Sequence, residues 1–459
     1  MKHITDDTIV ALSTPMGKGA IGVIRLSGPK SLDMCGKIFP ALDLKAAPTH
    51  TLHFGIIMDG KEVIDEAVVG LFKNPKSYTG QDVVEISCHG SSFIIQKVLQ
   101  LLVKNGARPA KPGEFTMRAF LNGRLDLSQA EAVSDLIASE TEASHHIAMN
   151  QMRGGFSGEL KQLRQKLVDF ASLVELELDF SEEDVEFANR PQLVNLLKDM
   201  IKKMETLSES FRLGNVLKNG VSTVIAGRPN AGKSTLLNAL LNEERAIVSD
   251  IPGTTRDSIE EILTIQGVAF RLTDTAGIRE ASDIIEQKGV ERTLEKIQQA
   301  AIVIYLFDAK ELSAEEVKAD IAKLTKNEKL PIIALANKVD EAKIQVEIQT
   351  KFKNIDNLLL ISAKTGAGIE ELKNKLCELA LQGADIHESI ILTNARHYEA
   401  LQSTLHSIKN ALKGIETKLS GELVASDIRT ALYHLGEITG EVTTDDLLGN
   451  IFSRFCIGK

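Results

Sequence analysis

The segment Gly227 to Ser234, GRPNAGKS, constrains this chain more than any other stretch, because it follows a buried-type run (STVIAG) and opens a helical one (STLLNALL). A strand, a glycine-rich loop and a helix in that order turn backbone N–H groups toward an anion. Lys233 adds a positive charge, and the helix N-terminus favours negative groups, here the β- and γ-phosphates of a nucleotide. Ser234 then stands where a hydroxyl can ligate Mg²⁺. Further apolar runs follow, VAFRLTDTAG, AIVIYLFDA, PIIALANK and LLLISAK, each separated by helical stretches. Their alternation predicts a mostly parallel sheet covered by helices, a Ras-like P-loop domain.

Three more motifs close those strands. Asp274-Thr275-Ala276-Gly277 offers a carboxylate for a magnesium-bound water and, at Gly277, an N–H for the γ-phosphate. Asn337-Lys338-Val339-Asp340 supplies what guanine requires: a carboxylate accepting from its N1 and N2 donors and an amide beside O6. Adenine would leave Asp340 unpaired, a mismatch that discriminates by roughly 10⁴. Ser362, Ala363 and Lys364 fit the loop that closes over the base. The predicted GTP-binding set is Asn230, Ala231, Gly232, Lys233, Ser234 and Thr235; Ser249, Asp250, Ile251, Pro252, Gly253, Thr254 and Thr255; Asp274 to Gly277; Asn337, Lys338 and Asp340; and Ser362 to Lys364. Thr255 lies in a polar stretch suited to a switch loop that completes the Mg²⁺ shell. Ile278 follows Gly277 where regulatory GTPases often carry a water-orienting glutamine, so the catalytic polar group must come from elsewhere.

Outside this region the pattern changes twice. From Asp7 to about Gly90, short β-rich runs broken by Gly and Pro, then the helix FIIQKVLQLLVKNG, predict an α+β domain over 1–120. Leu160, Leu163, Leu167, Phe170 and Val174, and later Leu401, Leu405, Ile408, Leu412, Ile415 and Leu419, recur at three and four, which predicts amphipathic helices. The economical organisation is one helical domain, 121–218 with 386–459, interrupted by the α/β domain, 219–385. The acidic run Glu175 to Glu186 reads as a solvated helix end or loop.

No apolar run approaches the ~20 residues of a membrane span, and the N-terminus lacks the features of a secretory signal, so a soluble, cytoplasmic protein without a membrane anchor is expected. A net charge of −10 argues against indiscriminate nucleic-acid binding, so a nucleic-acid partner would have to use a local basic patch. Cys35, Cys88 and Cys377 read as buried thiols without zinc or disulfide spacing. Cys456, in a polar-flanked tail, is a nucleophile or a packing thiol.

The order GRPNAGKST, SDIPGTTRD, DTAGIRE, NKVD and SAK, with DTIVALSTP, GVIRLSGP, YTGQDVVEISCHG, PGEFTMRAFLNGRLDLSQAEAV and FSRFCIGK around it, resembles the MnmE (TrmE) family of tRNA-modification GTPases from end to end. The resemblance implies a K⁺-activated GTPase with K⁺ held by Asn230, Ser249, Ile251 and Thr254, Mg²⁺ held by Ser234 and Thr255, and Glu286 orienting the attacking water. Read from the residues alone, Glu286 is a surface carboxylate. It further implies a 5-formyltetrahydrofolate or 5,10-methylenetetrahydrofolate site at Arg25, Glu85, Arg124 and Lys459, with the terminal Cys456 to Lys459 segment folded back toward it and Cys456 catalytic. The implied partners are a second copy through the N-terminal domain, the FAD-dependent protein MnmG in a heterotetramer or larger complex, and tRNA. The implied product is a (carboxymethyl)aminomethyl group on C5 of the wobble uridine. The GTPase motifs by themselves fit a signalling or assembly GTPase equally well, whereas an ATP-dependent motor is opposed by NKVD.

Overall fold

The structure, a computed structural model, describes residues 6–179, 190–243, 260–274, 297, 300–324, 330–340, 342–381 and 391–459. The chain divides into two compact units: Met1–Ile137 with Asn150–Met200 and Ser403–Lys459, and Ala138–Met149 with Ile201–Gln402.

The first unit is built on β1 (Ile9–Leu12), β2 (Ile21–Ser27), β3 (Thr51–Asp59), β4 (Glu62–Phe72), β5 (Val83–His89) and β6 (Arg108–Pro109). They form one sheet in the order β3-β4-β5-β2-β1-β6, antiparallel except for the β1–β6 pair. Side chains alternate across a strand, so Ile24 and Leu26 of β2 and Val84 and Ile86 of β5 point to one face. There they join Cys35 and Ile38 of α1 (Ser31–Ile38) and Val98 and Leu102 of α2 (Ser92–Lys104) in a buried core. Arg25 and Glu85 face each other across the β2–β5 register with the opposite orientation.

The helices of this unit follow as α3 (Glu114–Leu121), α4 (Leu127–Ala138), α5 (Glu142–Met152), α6 (Gly155–Asp179) and α7 (Arg190–Asn219), of which α5 falls largely, and α7 in its C-terminal part, in the second unit. In α6, Leu160, Leu163, Leu167 and Val174 are buried as their spacing predicts, and the helix packs along the later helix Gly421–Thr439.

The second unit carries β7 (Val221–Ala226), β8 (Glu260–Ile265), β9 (Val268–Asp274), β10 (Ile302–Asp308), β11 (Ile332–Asn337) and β12 (Leu358–Leu360) in the order β12-β11-β10-β7-β9-β8. All neighbours are parallel except the β8–β9 hairpin. Flanking it are α8 (Lys233–Glu243), α9 (Ala314–Leu324), α10 (Ala342–Lys351) and α11 (Ile369–Leu381). Period-two alternation splits each central strand between two cores: Ile225, Ile304, Leu306 and Leu335 join Leu236, Leu240, Leu372 and Leu376, while Val224, Val303, Tyr305, Phe307 and Ala336 join Val317, Ile348 and Phe352. Ala143 and Ile147 of α5 belong to the first of these cores, and the Ala143 N–H donates to Gly267 O at 3.3 Å.

The last helices are α12 (Ala395–Glu416), α13 (Gly421–Thr439) and α14 (Asp445–Ser453). The apolar stripe of α12 stops short of Leu419, which is exposed. Lys418 adopts φ 54°, its N–H donates to Ile415 O at 3.2 Å, and the Leu419 N–H donates to Gly414 O at 2.9 Å. This is a Schellman closure, and it ends the helix at Glu416. In the described residues, no helix is long and apolar enough to cross a membrane.

Candidate nucleotide site and tail-covered site

In the second unit the loop between β7 and α8 lies at the carboxyl edge of the parallel strands, where such sheets receive ligands. Asn230 takes φ 60° and Gly232 φ 101°, the left-handed turns that aim successive N–H groups inward. Gly232 admits no side chain: a Cβ there would lie 2.4 Å from Asn337 Nδ2. The Lys233 ammonium donates to the carbonyls of Gly227 and Arg228 at 2.8 and 3.0 Å, within the rim of the loop. Ser234 and Thr235 are exposed at the start of α8.

Asn337 ties three loops together. Buried at the end of β11, it donates from Nδ2 to Ala231 O at 2.8 Å and accepts at Oδ1 from the Ala363 N–H at 3.0 Å. Lys338, with φ 66°, pairs with Asp308 Oδ2 at 2.6 Å. The hydrogen bond to Asp308 outweighs burial and raises the Lys338 pKa above its ordinary value. Burial alone would raise the Asp308 carboxyl, but the hydrogen bonds from Lys338 and the Lys310 N–H hold it below the usual range. Asp340 is exposed, and its Oδ1 accepts from Ser362 Oγ at 2.5 Å. The phosphate loop, the NKVD loop and the Ser362–Lys364 loop thus form one hydrogen-bonded rim. Asp274 closes β9 beside β7. Ser249 to Thr255, Thr275 to Gly277, Ile278 and Glu286 lie outside the described residues, as does most of the acidic run from Glu175.

The first unit contains a second convergence. Arg25 Nε and Nη2 both reach Glu85 Oε1, at 2.8 and 2.7 Å, and the guanidinium lies 5.5 Å from the Tyr78 ring centre and 5.7 Å from that of Phe115. The chain terminus returns to this place. Gly458 O accepts from Arg25 Nη1 and Ser13 Oγ, each at 3.3 Å, and Lys459 O accepts from the Phe115 N–H at 3.2 Å. Gly458 has φ 96°, and a Cβ on it would meet Leu12 O at 2.3 Å, so only glycine lets the tail lie so close to β1. Arg124 packs beside Gly80, its Cγ 3.2 Å from where a Cβ would stand. Cys456 is exposed. Burial pushes the Cys35 thiol up to about 12 and the Cys88 thiol up to about 11, which leaves both unreactive near neutral pH. Tyr78 and Phe115 as aromatic walls were missed in the sequence, although Phe115 opens the PGEFTMRAF helix on the strand face that carries Arg25.

A strand–glycine loop–helix turn bonded to the NKVD and Ser362–Lys364 loops at the carboxyl edge of a parallel sheet is the arrangement of a P-loop GTPase, a GTP-hydrolysing enzyme. The family described as "MnmE helical domain" matches residues 127–456, and that described as "GTP-binding protein TrmE N-terminus" matches residues 8–124. The chain is 58% identical over 453 residues to the tRNA modification GTPase MnmE of Cytophaga hutchinsonii, covering 99% of this chain and 98% of that protein. It is 54% identical to the protein of that name in Flavobacterium johnsoniae, with 99% and 100% covered, and 53% identical to that of Christiangramia forsetii, with 99% of each covered. The chain belongs to the MnmE family.

Proposed function

We propose that the chain is a K⁺-activated GTPase that, with MnmG, installs the (carboxymethyl)aminomethyl group on C5 of wobble uridine in certain tRNAs. The observation that carries this reading is the tail: Cys456 to Lys459 folds over a prepared arginine–carboxylate pair, which a GTPase acting only as an assembly or signalling switch has no use for.

In this reading the chain comprises a folate-binding-type domain, 1–120, a helical domain, 121–218 with 386–459, and a GTPase domain, 219–385. It works in the cytoplasm. Ser234 and Thr255 hold Mg²⁺, and Asn230, Ser249, Ile251 and Thr254 hold K⁺. When bound, that cation neutralises phosphate charge that an arginine meets in other systems. Glu286 orients the attacking water. The left-handed Asn230, which turns the phosphate loop back on itself, supports its share in the cation site.

Arg25, Glu85, Arg124 and Lys459 receive the folate. The donor set suits it, since a carboxylate matches pterin N–H groups, basic side chains match the glutamate tail, and Tyr78 and Phe115 offer aromatic faces. The folate supplies the one-carbon unit, and Cys456 stands exposed beside that place as the candidate nucleophile. A homodimer through the first unit is supported by Leu52 and Phe54, 74% and 70% exposed on the sheet's edge strand β3, a liability that a partner would cover. MnmG binds in a heterotetramer or larger complex.

The test is nucleoside analysis of tRNA from cells lacking the protein, complemented with wild type or Cys456→Ser. Wobble uridines are expected to lose the modification, regain it with wild type, and stay unmodified with the serine variant. Unaltered wobble uridines in the deletion would leave an assembly GTPase as the reading. A second expectation concerns the tail. Gly458→Ala should weaken 5-formyltetrahydrofolate binding about tenfold by calorimetry, because the added methyl must push the tail off Leu12; unchanged affinity would remove the tail from the folate site.

A further inference from the structure

Arg228 follows the first glycine of the phosphate loop, yet its side chain leaves the loop. Its Nε donates to Asp320 Oδ2 at 2.7 Å and its Nη1 to Glu316 Oε1 at 3.2 Å, both on α9. Each carboxylate is itself held. The Tyr305 hydroxyl, on the central strand β10, donates to the same Asp320 oxygen at 2.7 Å. The Ser313 N–H donates to Glu316 Oε2 at 3.0 Å while the Glu316 N–H donates to Ser313 Oγ at 3.2 Å, the reciprocal capping box that opens α9. The Arg228 main chain faces the other way. Its carbonyl accepts from Lys233 Nζ at 3.0 Å and from the Ala231 N–H at 3.4 Å.

We infer that Arg228 is a positioning residue for GTP: α9 and Tyr305 hold its guanidinium so that the loop from Gly227 to Gly232 keeps its phosphate-receiving shape. The guanidinium points to α9 and not into the loop, so it acts through the backbone. Global stability does not account for the arrangement. Asp320 is 17% exposed, but the Arg228 and Glu316 side chains are 42% and 48% exposed, and ion pairs with a partner so open to water add little to folding. A local anchor is different, because a loop with three positive-φ residues, Gly227, Asn230 and Gly232, would otherwise sample other shapes, and nucleotide binding would have to meet the cost of ordering it.

The effect therefore falls on binding. In Arg228→Met, the Kd for a fluorescent GDP analogue is expected to rise about tenfold, chiefly through faster dissociation in stopped flow. The KM for GTP should rise by a similar factor while kcat at saturating GTP falls less than threefold. Arg228→Lys, which can still reach one carboxylate, should recover at least half of the lost affinity on a logarithmic scale. Tyr305→Phe, which frees Asp320 on one side, should weaken GDP two- to threefold. Unchanged GDP affinity in Arg228→Met, or a loss confined to kcat, overturns the inference. If Arg228→Met does not fold, Asp320→Asn carries the same test, since it keeps the volume and removes the charge that holds Arg228. Unchanged affinity there overturns it equally.

Discussion

Asp340→Asn is expected to lower GTP affinity at least ~10³-fold and to create preferential binding of xanthosine triphosphate. Asp340 is exposed at the end of the NKVD loop, where its carboxylate can accept from the two donors on the guanine edge. An asparagine amide there would place an NH₂ against the guanine amino group and leave one base donor unpaired. Xanthine carries a carbonyl at the same carbon and would accept from that NH₂. The loop itself should survive the change, because its shape is fixed by other residues: Asn337 bonds to Ala231 and Ala363, and Lys338 pairs with Asp308. Ser362 Oγ can still donate to an asparagine carbonyl. Titration of the variant with both triphosphates checks the prediction. GTP bound as tightly as by wild type would remove Asp340 from base recognition.

The loops of the candidate nucleotide site were legible in the sequence because each is a short contiguous run at a strand end. Local pattern alone put Lys233, Asn337 and Asp340 on those loops, which the structure brings to one edge of the sheet. That Asn337 ties the loops together was not legible, since its bonds to Ala231 and Ala363 span 106 and 26 positions. Strand β8 escaped notice because it pairs only with β9 in a hairpin at the sheet edge, where burial is one-sided and the apolar run is short. Strand β3 and helix α1 were likewise unread, although Leu52, Phe54 and Ile56 alternate along β3; what the sequence does not say is that Leu52 and Phe54 lie exposed on an edge strand. Leu419 fitted the period of α12 but not its fate, because a lysine in a left-handed cap is a poor sequence signal for a helix end compared with glycine. In the first unit, the alternation of β2 could put Arg25 opposite the apolar core, but nothing local says that a glycine 433 positions later would lie against it. Only the family resemblance linked the two ends of the chain.

The same limit hid a buried charge network under the tail-covered site, and with it the second large effect. Arg118→Met is expected to destabilise the first unit by about 3–5 kcal/mol at pH 7, the cost of removing one partner from a buried ionic cluster. Arg118 is fully buried on α3; it donates to Asp7 O at 2.7 Å, to the Asp7 carboxylate, to Gln81 Oε1 at 3.2 Å and to Glu114 Oε1 at 3.1 Å. Arg108 grips the same two carboxylates from the edge of the sheet, at 2.5 Å to Glu114 and 2.7 Å to Asp7. The cluster fixes the start of α3, and so the Phe115 N–H that receives the tail. Methionine fills the space but leaves Glu114, 1% exposed, with half its compensation. For comparison, Lys161→Met breaks a surface pair with Asp126, in which Lys161 is 47% exposed, and should cost under ~1 kcal/mol. The pH dependence follows from the carboxyls. Burial alone would raise Glu114 and Asp7, but hydrogen bonds from Arg108 and Arg118, with the Lys111 N–H at Glu114, hold both below their ordinary values. Their contribution is complete above the unfolded values, about 4.3 and 3.9, and is lost as pH falls through the lowered folded ones. The gap between wild type and Arg118→Met in urea unfolding should therefore be widest near neutrality and narrow as pH drops below about 4. A gap under 1 kcal/mol at pH 7, or one that widens in acid, would show that the cluster does not hold α3 in place.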